Sequence, residues 1–548
     1  MAGHSRRAVL AGGAAVGLGA AGRVEPELVL HNGLITTVDP RQPRAQAVAI
    51  AGGRLMAVGS DAEILGMAGA RTRKVDLGRR RVTPGFNDAH AHPADSGVNH
   101  LTMVAADKTD IEEIKRDVRA WAAKVPRGQW VLGFLYDDGK GPRPLNRDDL
   151  DQAVPDRPVM IRHRGGHTVF VNSKALQLAG VTESTPDPKG GYFERKNGRM
   201  TGRIGDLASA KFEELAAYSP TREDWRKGSA LISRMFAAKG VTSCCDASGG
   251  PDSLRGYQDA RDAGELGVRI YCHIYSGQLD KVMESGVHTG FGDEQLRLGA
   301  VKLFADGSIS ERTAWLKQPY LDMPGNFTGL QVQTAEELYG YASKAHAAGW
   351  QIGVHGNGDR ALEGVLDLFE RLQRENPRRD PRFRIEHCTM VTPQIVRRIK
   401  AVGAIPVTFG GYVYFHSGVL HYYGEERLKR MFAMRSFLDA GVPATSSSDY
   451  TASPSNPMMW LQSQVTRRGM DGKVWGGNQR ITLDEAIRCA TLNGAHASRE
   501  ETIKGSLEAG KLADLVVWGQ DFTKADPTQL IEVPVERTMV GGRWIHEA

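Results

Sequence analysis

"VTPGFNDAHAHPAD", Val82–Asp95, is the stretch that decides the fold. An apolar opening and the Pro84-Gly85 step lead into His90 and His92, one residue apart, with Asp88 two residues upstream of His90. In an extended strand, residues i and i+2 point to the same face. Two imidazoles side by side are either one edge of a metal site or a coincidence of packing. The stretch alone does not choose between them.

Eight apolar runs share this character: 81–92, 240–249, 268–277, 298–308, 350–360, 383–390, 403–411 and 442–450. Buried parallel strands read as near-continuous apolar runs. The segments between them are helical in pattern. "TAEELYGYASKAHAAG" begins with a capping box, Thr334 and Glu337, and stops at Gly349. "TLDEAIRCATLNGAHA" repeats the box with Thr482 and Glu485. Eight strand–helix units predict an α/β chain folded as a (β/α)8 TIM barrel.

The chain ends read differently. "ELVLHNGLITTV" and "AVAIAGGRLMAVG" place Asn32-Gly33 and Gly52-Gly53 between apolar runs, the signal of a hairpin. "KLADLVVW" (511–518) and "VERTMVGGRWIH" (535–546) repeat the style at the C-terminus. The expectation is a discontinuous small β-sandwich domain made by both chain ends, 24–82 and 500–548. Barrel strand 1 and the segment after it occupy 83–128, and barrel strands 2–8 occupy 240–499. A stretch too long for a βα connection separates them. It contains the hairpin "GGYFERKNGRMTGRI" (190–204). It reads as an insertion after barrel strand 1, an inserted domain or lid at 129–239.

Residues 1–23 combine Arg6-Arg7, an Ala/Gly-rich apolar stretch and small residues, which is the pattern of an export signal. It resembles a twin-arginine signal, with Val9 and Ala11 departing from the usual residues. That implies the twin-arginine export machinery as a partner and a periplasmic or extracellular location. Gly17, Gly19 and Gly22 also fit GxGxxG, which would mean a nucleotide-dependent oxidoreductase. That motif carries weight only between a strand and a helix, and Arg23-Val24-Glu25-Pro26 comes next here. The stretch is too short to span a bilayer, so no stable membrane insertion is expected.

Composition is that of a globular protein, with 41% hydrophobic and 24% charged residues. The net charge of +6 over 548 residues is small and dispersed, so no nucleic-acid surface is expected. The five cysteines form no CxxC pair, which argues against a disulfide framework and a thiolate zinc site. A small-molecule substrate is expected, and a homodimer is compatible with the composition.

The C-terminal ends of the runs supply the chemistry. Run one ends with His90 and His92, run four with Lys302, run five with His355, run six with His387 and run eight with Asp449. Barrel enzymes build their sites at that end of several strands at once. Imidazole and carboxylate ligands suit zinc and related divalent ions. An isolated histidine is weak evidence; six such residues in equivalent places form a constellation. Asp88 is expected behind it, orienting a histidine. His163, His273, His346, His416 and His421 are read as packing or surface residues, with His416, just after run seven, the one set apart.

This order of HxH, Lys, His, His and Asp, on a barrel with a split β domain, resembles the amidohydrolase superfamily. "PGFNDAHAH", "KLFADGSISERTA", "HGNGDRA", "RIEHC", "SSSDY" and "GGHTVFVNSKAL" are similar to the branch called amidohydrolase family 3, which includes N-substituted formamide deformylases. The resemblance covers nearly all of the chain after residue 23. Four positions depart from the usual pattern: Asn87, Gly165, Glu311 and Tyr450. All but the first line the expected pocket and leave the substrate open.

The resemblance implies that His90, His92 and Asp449 hold one metal and that His355 and His387 hold a second. Lys302 bridges them as a lysine carboxylated by CO2, or binds directly in a one-metal version; a plain ammonium paired with Asp306 is the alternative. The implied reaction is hydrolysis of a non-peptide C–N bond, in an N-acyl, N-formyl or cyclic amide, by a metal-activated hydroxide. Asp449 is the proton-transfer residue. His167 and Arg312 are the substrate-binding candidates. Lactone or ester hydrolysis, or an isomerisation, are alternatives on the same site.

Overall fold

The computed structural model describes residues 25–321 and 323–548. The export signal expected at 1–23, and the glycine motif inside that stretch, lie outside the described residues.

Eight parallel strands form one sheet in chain order: Phe86–Ala91, Val241–Gly249, Arg269–Tyr275, Leu296–Phe304, Ile352–Gly356, Arg384–His387, Ile405–Phe409 and Thr445–Ser447. Each falls inside one of the eight apolar runs or overlaps it. Helices including Pro251–Asp262, Ala335–Ala347, Asp359–Glu375 and Pro393–Val402 connect them. The capping boxes at Thr334/Glu337 and Thr482/Glu485 both form. The inward and helix-facing residues of these elements, Phe86, Val241, Val301, Val354, Phe369 and Ile385 among them, make the largest apolar core.

Strands 8 and 1 come together at their C-terminal ends. Asp449 N donates to His90 O and His92 N donates to Tyr450 O, each at 2.8 Å. Below them the buried Asp88 carboxylate accepts from Ser448 N at 2.9 Å, Ser448 Oγ at 2.5 Å and Ser455 Oγ at 3.1 Å. Asp88 therefore seals the barrel seam. It does not orient a histidine, contrary to the sequence expectation, because Ser448 and Ser455 reach it first. The nearly closed eight-stranded parallel barrel is the (β/α)8 architecture expected.

Pro84-Gly85 marks the handover into the barrel. Arg81–Pro84 pairs with Leu34–Thr36 and with Leu515–Trp518 outside it. A side chain at Gly85 would meet Thr242 Oγ1 at 2.0 Å, so only glycine fits where the chain crosses strand 2.

The chain ends supply two further sheets. Four strands pair in the order Arg54–Gly59, Ala47–Ala51, Leu28–His31, Arg73–Asp76. Six strands from both ends of the chain make the other, including Leu34–Thr36, Arg81–Pro84, Leu515–Trp518 and Val535–Val540. Leu28, Val48, Ile50, Leu515 and Met539 meet in one apolar core between them. The turns at Gly52-Gly53 and Gly541-Gly542 are hairpins, with φ of 56°, 74°, 55° and 74°. Asn32-Gly33 is not. There the chain leaves one sheet for the other: Leu28–His31 pairs with Ala47–Ala51 and Arg73–Asp76, not with Leu34–Thr36. Burying both segments in a shared core outweighs the local turn signal.

Between barrel strands 1 and 2 stands a mixed sheet in the order Gly191–Lys196, Arg199–Asp206, Thr168–Val171, Val159–His163, Val131–Tyr136, Val104–Ala105. It takes in Val104, upstream of the 129–239 segment read from the sequence. Apolar clusters cover both its faces. The helix Arg222–Ala237 leads from it into strand 2. No helix among the described residues is long and apolar enough to cross a membrane.

Candidate metal centre

Six side chains converge at the C-terminal mouth of the barrel. His90, His92, Lys302, His355, His387 and Asp449 all line one cavity of about 330 Å³, with the inserted sheet on its other side. One ligand atom each from His90, His387 and Asp449 lies within 4.8 Å of the others. His92 Nε2 is 3.2 Å and His90 Nε2 3.4 Å from Asp449 Oδ1. Lys302 Nζ is 3.4 Å from His90 Nε2. The rings of His387 and His355 stand 4.5 Å apart between centroids.

The surroundings prepare these groups as ligands. His90 Nδ1–H donates to Glu386 Oε2 at 2.6 Å, which fixes the tautomer and turns the Nε2 lone pair toward the cavity. Glu386 is held in turn by Arg384, Nε to Oε1 at 2.7 Å. His92 Nδ1 is 2.8 Å from Ser248 Oγ. His355 Nε2 sits 3.1 Å from the Gly307 carbonyl. Neither ring nitrogen of His387 has a hydrogen-bond partner among the described residues, although the residue is only 4% exposed. Burial, reinforced by Lys302 and the neighbouring rings, pushes the pKa of His90, His355 and His387 well below the usual range, so the imidazoles are neutral. Burial also lowers the Lys302 pKa. Neutral imidazoles with open lone pairs beside a carboxylate are the donor set of a divalent ion, and the residues fit one.

The backbone is strained at two of these positions. His387 has φ of 71° and Asp449 of 50°, left-handed values that cost about 1–3 kcal/mol each in a non-glycine residue. The strain turns both side chains at the ends of strands 6 and 8, where the cavity opens.

Asp306 does not pair with Lys302. Its carboxylate accepts from Trp315 N, Asn357 N and Gly358 N at 2.8–2.9 Å and so ties the loops after strands 4 and 5 together. His167 lines the cavity and donates from Nδ1 to Asp206 at 3.1 Å. Burial opposes its charge, but Asp206 and Glu311 outweigh that and raise its pKa to about 9. Arg312 is not among the cavity-lining residues; its guanidinium lies over Tyr422, 4.7 Å from the ring centroid. His416 stacks on Tyr412 and contacts Ala452 O, a packing role.

His163, expected from sequence to be a packing or surface residue, lines the cavity. It sits 3.4 Å from both Asp138 and Glu311. Glu311 comes from the loop after strand 4, reaches into the inserted sheet and accepts from Thr168 Oγ1. A Cβ on Gly165 would lie 2.3 Å from Glu311 Oε1. The departures at positions 165 and 311 are thus one place in space. Sequence reasoning also missed Glu386 and Ser248. The signal for Glu386 was Arg384 and Glu386 at i and i+2 in an apolar run, two charges on one inward face.

Residues 73–546 match the model of the amidohydrolase family. The chain belongs to the amidohydrolase family. This amidohydrolase is 30% identical to the N-substituted formamide deformylase of Arthrobacter pascens over 551 aligned positions, covering 94% of this chain and 97% of that one. It is 27% identical to the putative amidohydrolase YtcJ of Bacillus subtilis, covering 95% and 99%. An uncharacterized metal-dependent hydrolase from Pyrococcus furiosus superposes with a TM-score of 0.71 at 26% identity, covering 91% and 99%. The protein is a metal-dependent hydrolase acting on C–N bonds.

Proposed function

We propose that this amidohydrolase cleaves a non-peptide C–N bond in a small amide, of N-acyl, N-formyl or cyclic type. The convergence of His90, His387 and Asp449 within 4.8 Å at the barrel mouth carries the reading. The likeness to a formamide deformylase supports the bond type. Zinc suits the donor set, as one or two ions: His90, His92 and Asp449 would hold one, His355 and His387 a second. A lysine whose ammonium form is disfavoured by burial is the form that captures CO2, which supports Lys302 as a carboxylated bridge.

A divalent ion in this site supplies an activated water and polarises the scissile carbonyl. The remaining work falls on the chain. Asp449 accepts the proton from the attacking water at its carboxylate and returns it to the departing amine. His167, held by Asp206 as an imidazolium on the opposite wall, donates to the developing oxyanion. The inserted sheet covers the cavity and limits water. Residues 1–23 direct the folded enzyme to export by the twin-arginine route, and the two end sheets form a small β-sandwich beside the barrel.

The test is turnover by zinc-loaded enzyme of N-formyl, N-acyl and cyclic amides, set beside lactones and esters. Amide hydrolysis is expected, falling by a factor of about 10²–10⁴ in Asp449→Asn. Turnover of lactones or esters alone contradicts the reading.

A further inference from the structure

Four basic side chains face the cavity from the inserted sheet and the loop that leaves its strand Val159–His163: Arg162, His163, Arg164 and His167. Three have carboxylate partners. Arg162 lies 3.4 Å from Glu213, His163 lies 3.4 Å from Asp138 and Glu311, and His167 lies 3.1 Å from Asp206. Arg164 has no carboxylate within 4.0 Å among the described residues.

Its position is nevertheless fixed. Nε donates to the carbonyls of Thr451 at 3.1 Å and Ala452 at 2.9 Å. Thr451 Oγ1 donates back to Arg164 O at 3.2 Å. The guanidinium lies over the Phe415 ring, 4.6 Å from its centroid. Thr451 and Ala452 follow Asp449 by two and three residues, so Arg164 is pinned to the loop that carries the proton-transfer carboxylate. These contacts use one of its five N–H donors. The four on the terminal nitrogens have no acceptor among the described residues. The other acids on the cavity wall do not pair with Arg164: Asp449 belongs to the ligand set, and the basic groups acting on the buried Asp95 are His92 and Arg162.

Asp137 and Asp107 act on the half-buried guanidinium only from beyond 4.0 Å, and its planar fork, without acceptors on the terminal nitrogens, matches a carboxylate in two parallel hydrogen bonds. Phe134, Leu135 and Phe304 add apolar surface to the same cavity. We infer that the substrate is an amide that also bears a carboxylate, and that Arg164 binds this carboxylate while the amide lies at the metal ligands. This names a substrate class for the proposed C–N hydrolysis and rests on it.

Matched probes test it: N-formyl-phenylalanine and N-formyl-phenylalaninamide, each as both enantiomers, with zinc-loaded enzyme. The wild-type kcat/KM is expected to favour the acid over the carboxamide by about tenfold or more. Arg164→Gln is expected to bring that ratio close to one, and Arg164→Lys to leave it between the two. Equal use of acid and carboxamide by the wild type overturns the inference, as does a preference that Arg164→Gln leaves unchanged. Titration calorimetry with the same probes separates it from the hydrolase reading. Tighter binding of the acid, lost in Arg164→Gln, without turnover of any amide supports the carboxylate site and counts against C–N hydrolysis. Equal binding of both probes counts against the site whatever the turnover.

Discussion

His90 Nδ1 donates to Glu386 Oε2 at 2.6 Å, and Glu386 is held by Arg384 at 2.7 Å in the same fully buried space. The contact joins barrel strand 1 to strand 6, and it determines which nitrogen of His90 faces the cavity. Arg384 holds the Glu386 carboxyl down at about 2 against the opposing effect of burial, so it is an anion at any working pH. Glu386→Gln keeps the shape and removes the charge. Its expected effect is a loss of metal affinity of about 10- to 100-fold, read by competition with a chromogenic chelator. Unchanged affinity would show that Glu386 only packs the barrel.

Glu311 and Gly165 make a second testable pair. Glu311→Ala leaves His163 and Thr168 without their buried acceptor and is expected to lower stability by about 1–3 kcal/mol in urea denaturation. Gly165→Asp alone crowds Glu311 Oε1. Combined with Glu311→Ser, it puts a carboxylate back into nearly the same space. The double variant is therefore expected to be more stable than the sum of the single changes indicates. Additive losses would mean that the two positions do not share one site.

The same region gives a pH dependence. Burial opposes the charge on His163, but Glu311 and Asp138 prevail and raise its pKa from 6.5 to about 10. A folded pKa above the unfolded one stabilises fully below about pH 6.5 and is lost as pH rises through 10. The wild-type unfolding free energy is expected to fall between pH 7 and 10. His163→Gln is expected to flatten that decline by about 1–3 kcal/mol. An identical decline in the variant would place the titration elsewhere.

The barrel is legible in the sequence because its strands are buried on both faces, and each of the eight apolar runs holds one. The six side chains that line the cavity at the barrel mouth are legible for the same reason, since polar residues ending such runs stand out. What escapes a sequence reading depends on distance along the chain. His163 meets Glu311 from a loop 148 positions later, and no local pattern announces the contact. The period-2 rule puts Asp88 beneath His90 as its partner, yet Ser448 and Ser455, which follow strand 8, close on it from far along the chain. Asn32-Gly33 carries a strong turn signal, and a core shared between two sheets overrides it. Arg164 is ordinary in sequence and notable only once its neighbours on the sheet are seen to be paired.

Lys302 offers a direct spectroscopic check. If it is carboxylated, enzyme incubated with ¹³C-bicarbonate and zinc shows a carbamate carbonyl resonance by NMR. Lys302→Ala removes that signal and lowers metal retention on dialysis. Wild-type enzyme with full metal and no carbamate signal would assign Lys302 as a direct ligand or a neighbouring amine.

The measurement closest to the central claim is elemental analysis of the purified enzyme beside its amide turnover, for wild type and for His90→Ala and His387→Ala. The account predicts one or two divalent ions per wild-type chain. It predicts loss of metal and of activity together in both variants, with chelator-stripped wild type recovering activity on adding zinc. Metal-free wild type with full activity, or either variant turning over at the wild-type rate, would contradict it.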